Sequence, residues 1–122
     1  MADELTVTTG WAYSKNGRDR QLIGTANQYD VSGNPVLENV QSIGFATHEA
    51  IEVGEVATPG FFYAKNLDDE NFVEIGIDDS GSFVPFVKLL PGETAQLFLS
   101  AITLYAQADT GAVLLDYAIM SR

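Results

Sequence analysis

At 122 residues, 46% hydrophobic and 19% charged, the chain is long enough for one buried core and too apolar to be disordered throughout. Six basic against seventeen acidic residues leave a net charge of −11, which works against nucleic acid or anionic membrane bound through a broad basic face and favours a partner with some positive surface. With no cysteine, disulfides, thiolate catalysis and cysteine metal sites are excluded.

Met1 to Thr9 carries Asp3 and Glu4 and no long apolar run, so it does not read as a secretory signal. Asn16-Gly17 then separates Trp11–Lys15 from Arg18–Ala26. Asn-Gly suits a two-residue hairpin, because both central positions need positive φ. Ser32-Gly33-Asn34-Pro35 divides Leu22–Val31 from Val36–Ile43, and Thr58-Pro59-Gly60 precedes Phe61–Lys65. Between them, Thr47–Val53 fits either a short strand or a single helical turn. Asn66 to Asn71 is polar. In Phe72–Ile77, Val73, Ile75 and Ile77 share one face and Glu74 takes the other.

Asp78-Asp79-Ser80-Gly81 turns the chain into Phe83–Leu90, and Pro91-Gly92 turns it into Ala95–Leu99. Glu93 to Gln107 holds good helix formers, with Leu97, Ala101, Leu104 and Ala108 on one helical face. Two short strands broken near Ser100-Ala101 are the preferred reading. Leu97 to Ala108 is also too short to span a bilayer, and the chain reads as cytosolic when made. Asp109-Thr110-Gly111 leads into Val113–Met120, where Val113, Leu115, Tyr117 and Ile119 share a face. Leu114, Ala118 and Met120 make the opposite face apolar too, which predicts cover on both sides of this strand. Turn signals at roughly eight- to twelve-residue spacing are those of a sandwich or barrel. The expected architecture is all-β: one domain over 1–122, an antiparallel β-sandwich of jelly-roll type with about eight to nine strands.

Chemistry-bearing patterns are sparse. His48 is the only histidine, and no Gly-x-Ser-x-Gly elbow accompanies it. His48-Glu49-Ala50-Ile51-Glu52 approaches the zinc-protease pattern but ends in Glu, with no second histidine to complete a site. Asp68-Asp69-Glu70 and Asp78-Asp79 flank one strand and are expected about 20 Å apart, as separate solvated turns; either could recruit calcium only with a neighbour's help. No carboxylate pair stands out as an acid and base, and no phosphate-binding loop is present. The chain therefore reads as a non-enzyme with no catalytic residue, metal or cofactor.

Two binding features remain. Trp11, Tyr13, Tyr29, Phe61, Phe62 and Tyr63 could stack sugars if grouped on one open face, or else fill the core or an oligomer contact. Lys15, Arg18 and Arg20 are half of all basic residues within six positions. They would crown the Asn16-Gly17 hairpin and form a partner-binding point for an acidic surface or a neighbouring copy.

The run Tyr63-Ala64-Lys65-Asn66-Leu67-Asp68, followed by Asn71-Phe72-Val73-Glu74-Ile75-Gly76, continues as Phe83-Val84-Pro85-Phe86-Val87-Lys88-Leu89-Leu90-Pro91-Gly92-Glu93. It closes with Leu104-Tyr105-Ala106-Gln107-Ala108-Asp109-Thr110-Gly111-Ala112-Val113 and Leu115-Asp116-Tyr117-Ala118-Ile119-Met120. This order resembles small all-β virion structural proteins of tailed bacteriophages, over roughly the last sixty residues and more loosely at Tyr13–Gly17 and Val40–Gly44. The resemblance implies a capsid decoration or cement protein on the virion surface, assembled in the host cytoplasm. It implies the major capsid protein as partner and a homo-oligomer, dimer or trimer, with neither nucleic acid nor membrane bound. Tail- or fibre-associated proteins share these motifs, and a carbohydrate-binding module is the alternative of a different kind. Physically the motifs are turn chemistry: Asn66 and Asn71 suit a connection held by side-chain bonds to backbone, and Pro91-Gly92 suits a tight turn.

Overall fold

A computed structural model describes residues 4–24, 26–30 and 36–121. Among them are twelve strands and no helix, and every strand pair is antiparallel. The expectation of an all-β chain holds, with twelve strands where eight or nine were expected. The chain comprises two compact units, Met1–Ser32 and Gly33–Arg122. The first unit contributes four of the strands.

That unit is a two-stranded ribbon. β1 (Glu4–Val7) pairs with β4 (Asn27–Asp30), and β2 (Gly10–Lys15) pairs with β3 (Arg18–Ile23). The Gly24 amide donates to the Thr9 carbonyl at 3.0 Å and carries the ladder across the gap between the two pairs. At the tip Lys15 faces Arg18, with Asn16 at φ 54 and Gly17 at φ 77. These are the two left-handed positions a type I′ turn demands, as the Asn-Gly signal predicts.

The second unit holds two four-stranded sheets. One has the order β10 (Thr94–Phe98), β7 (Pro59–Asn66), β12 (Val113–Ser121), β5 (Val36–Ile43); the other has β6 (Glu49–Ala50), β11 (Tyr105–Ala108), β8 (Val73–Asp79), β9 (Ser82–Leu89). Both sheets feed one core. Phe62, Ala64, Leu115, Tyr117 and Ile119 come from the first, and Val73, Ile75, Leu89, Ala106 and Ala108 from the second. Each large side chain buried there stabilises the fold by about 1.5–3 kcal/mol relative to exposure. The long strand β12 sits between β5 and β7 and alternates strictly: Val113, Leu115, Tyr117 and Ile119 are buried. Its other face is not covered as expected, because Leu114 is about half exposed and Asp116, Ala118 and Met120 are only half buried. Apolar residues at 114, 118 and 120 imitate a two-sided strand, yet among the described residues this face stays half open.

Local chemistry explains the turns. Ser80 (φ 51) and Gly81 (φ 94) close the β8–β9 hairpin between facing Asp79 and Ser82. Leu90-Pro91-Gly92-Glu93 is a β-turn with Gly92 at φ 81 and the Glu93 amide donating to the Leu90 carbonyl at 3.0 Å. The break between β10 and β11 falls where expected, with Ala101 in the left-handed region at φ 52. The Thr47–Val53 segment supplies only the two-residue strand β6. The turn expected at Ser32–Pro35 lies outside the described residues.

Asn66 is fully buried and every polar atom of its side chain is used. Its amide donates to the carbonyls of Asn71 (2.9 Å) and Leu89 (3.0 Å), and its Oδ1 accepts from the Asp68 amide (2.8 Å). It thereby pins the end of β7 to the 67–71 loop and to β9. Asn71 plays the lesser part, its Oδ1 accepting from the Thr110 hydroxyl at 3.1 Å.

Candidate functional site

Register decides what the ribbon displays. Facing pairs Trp11–Leu22, Tyr13–Arg20 and Lys15–Arg18 alternate with Ala12–Gln21 and Ser14–Asp19. Side chains of a strand point to opposite faces in turn, and facing residues share a face. Trp11, Tyr13, Lys15, Arg18, Arg20 and Leu22 therefore line one side, while Ala12, Ser14, Asp19 and Gln21 line the other. All ten are exposed, Trp11 by 71%. Lys15, Arg18 and Arg20 do come together at the tip as expected. What the sequence reading missed is that the only tryptophan, a tyrosine and a leucine stand in line with them. The signal was present, since the type I′ turn at 16–17 sets the whole register.

Charge is divided unevenly between the units. Residues 1–32 hold three basic and four acidic residues, net −1; residues 33–122 hold three basic and thirteen acidic, net −10. Three cations beside an exposed indole and phenol can pair with carboxylates, stack on an Arg or a sugar ring, and bury apolar area at once.

The other expected aromatic candidates divide. Phe61 and Phe62 are buried, and Tyr63 is exposed on the face of β7 opposite to Phe62.

His48 occupies a defined niche in the second unit. Its Nε2 lies 2.6 Å from Asp78 Oδ1, its ring stacks on Phe83 (centroids 5.2 Å, 14° apart), and Tyr105 meets it edge-on at 5.6 Å. The bond from His48 is the main reason the Asp78 carboxyl sits below the usual aspartate range, opposed by burial and helped by the Gly81 amide. The arrangement clamps the segment before β6 onto the β8–β9 hairpin. Glu49 and Ala50, the middle of the zinc-like sequence, lie in β6.

The two acidic clusters lie at opposite ends of β8, as expected. Asp68 accepts from the amides of Asn71 (2.6 Å) and Glu70 (3.1 Å), which lower its pKa, and Asp78 is held by His48. Among the described residues, no group of three histidine or acidic side chains converges where it could hold a metal ion. The ribbon face is both exposed and chemically mixed. No protein-family model matches the chain, and no curated protein or solved structure matches it.

Proposed function

We propose that this chain is a virion structural protein of a tailed bacteriophage, a capsid decoration or cement protein that binds the major capsid protein lattice and stabilises it. The observation that carries the reading is the exposed aromatic and cationic face of the ribbon on a chain that is otherwise strongly acidic. Trp11, Tyr13 and Leu22 supply apolar area, and Lys15, Arg18 and Arg20 select an acidic receiving surface. The motif resemblance over the last sixty residues points the same way.

So does the strand order of the second unit. Counted from β5 as the first of eight strands, the two sheets read 1-8-3-6 and 2-7-4-5. A jelly-roll β-sandwich has this order, an architecture frequent among shell and lectin domains. The mechanism is mass action: a protein that binds only the assembled lattice stabilises it, and a homo-oligomer bridging capsomers multiplies weak contacts.

Mass-spectrometric copy counting in purified particles tests this. Copies in proportion to the major capsid protein are expected, as is loss of particle binding in an Arg18→Glu/Arg20→Glu variant that still folds. A few copies per particle would place it in the tail or a fibre, and absence from particles would overturn the proposal. Carbohydrate binding is the second reading, favoured by Trp11 and Tyr13 standing two residues apart on one exposed face. A glycan-array signal abolished by Trp11→Ala would establish it.

A further inference from the structure

Four strands of the second unit end a sheet, and they differ in length and protection. β6 is two residues long and β10 is five, against eight in β5. β9 carries Pro85 and Lys88 and is bent by a bulge opposite Ile75 and Gly76. Short length, proline, lysine and bulges are the devices that keep sheet edges from pairing with other chains. β5 has none of them. It runs eight residues, Val36 to Ile43, in unbroken register with β12, with Glu38 as its single charge. Among the described residues its backbone bonds only to β12. On its outer face Val36 and Val40 are 52% and 50% exposed and Leu114 on the neighbouring strand is about as open, with Glu38 between the two valines and Asp116 opposite Val40.

We propose that β5 is a self-association edge: a second copy adds its own β5 antiparallel across a two-fold axis at Val40, merging two four-stranded sheets into one of eight strands. Charge and side-chain matching select a second copy and this register. A two-fold axis at Glu38 would set carboxylate against carboxylate. An axis at Asn39 would face Leu37 with Gln41, and one at Gln41 would face Asn39 with Ile43. With Val40 on the axis, valine meets valine, Leu37 meets Ile43, Asn39 meets Gln41 and Glu38 meets Ser42. Apolar residues meet apolar and polar residues meet polar, Ile43 being already buried within its own copy, and no charges of one sign are opposed. An isologous contact of this kind closes after two copies, so it gives a dimer and not a filament. The inference rests on strand geometry and stands apart from the capsid reading.

The full chain is examined by sedimentation equilibrium, and the register by cross-linking, which the absence of native cysteines makes clean. A dimer is expected. Val40→Lys should raise its dissociation constant at least tenfold while leaving the far-ultraviolet circular dichroism unchanged. Val40→Cys should oxidise to a disulfide dimer far faster than Thr94→Cys on β10. Glu38→Cys and Ser42→Cys should cross-link when mixed and not singly, since each lies about 13 Å from its own mate in this register. A monomer at every concentration, a trimer, or Val40→Cys reacting no faster than Thr94→Cys overturns the proposal. A dimer that ignores capsids, or a monomer that binds them, separates this inference from the proposed function.

Discussion

Gly76 is the residue whose replacement the structure forbids most directly. It lies in β8 at the bulge, buried, where the register against β9 shifts between Ile75 and Gly76. A Cβ added there would stand 2.0 Å from the Val84 carbonyl oxygen, 2.6 Å from Pro85 Cα and 2.7 Å from Val84 C. All three obstacles are backbone, and one belongs to a proline, so no rotamer change relieves the clash. Gly76→Ala must push β9 away from β8, in the strand pair that supplies Ile75 and Leu89 to the core. Overpacking costs about 1–3 kcal/mol where side chains can yield, and the upper end, about 3 kcal/mol or more, is expected where backbone must move. A unit of this size has about 5–13 kcal/mol of total stability. The loss is thus a quarter or more of it, a fall in Tm of about 12–24 °C. Urea and thermal unfolding followed by circular dichroism measure it. Two controls isolate the cause. Gly81→Ala has open space and φ +94, and should cost only about 1–2 kcal/mol from backbone strain. Gly44→Ala has open space and no positive φ, and should be near neutral. A Gly76→Ala protein within about 1 kcal/mol of the parent would refute the close-approach argument.

Asn66→Ala should cost about 2–4 kcal/mol in urea unfolding, since it strands the Leu89 and Asn71 carbonyls and the Asp68 amide; Asn66→Asp should be at least as damaging, with a carboxylate aimed at two carbonyls. The depressed Asp78 and Asp68 carboxyls contribute stability that is present above the ordinary aspartate pKa and lost as the pH falls through their folded values. Asp78→Asn should therefore flatten the acid limb of a stability–pH profile by bringing stability at neutral pH down toward its acid value. Burial raises the Tyr117 pKa, so its contribution is complete below about pH 10 and lost as the pH rises through the folded value. Tyr117→Phe should flatten that alkaline limb. It should also cost about 1–2 kcal/mol at neutral pH, because the hydroxyl donates to the Glu52 carbonyl at 2.7 Å and accepts from Asn39 at 3.2 Å.

Turns were the most legible part of the chain because their chemistry is local. Asn16-Gly17, Ser80-Gly81 and Pro91-Gly92 each fold as their residues require. Antiparallel all-β architecture followed from the spacing of those turns. Strand number was less legible: β6 pairs through two residues only, and β1 with β4 closes a ladder that no periodicity announces. The core was readable in β12, where alternation is strict, but exposure of its second face depends on what packs there, and alternation is blind to that.

The candidate site was half legible for the same reason. A charge cluster is visible in one dimension, so Lys15, Arg18 and Arg20 stood out. Their alignment with Trp11 and Leu22 needs the pairing register. The His48–Asp78 clamp spans thirty residues, and no local pattern encodes such a separation. Asn66 was marked as a turn residue, but its buried bond to Leu89 comes from a strand twenty-three positions away.

The uneven charge makes the two surfaces respond oppositely to salt. Association through the ribbon draws cations onto an acidic partner, and screening weakens it once the Debye length falls below about 8 Å. Pairing through β5 brings together two chains of net charge −11 along a strand with one carboxylate, so screening removes repulsion and costs little attraction. Raising salt should therefore release the protein from an acidic partner while tightening its self-association. If both associations weakened together, the ribbon would be serving both; if both strengthened, apolar contact through Trp11, Tyr13 and Leu22 would outweigh the three cations.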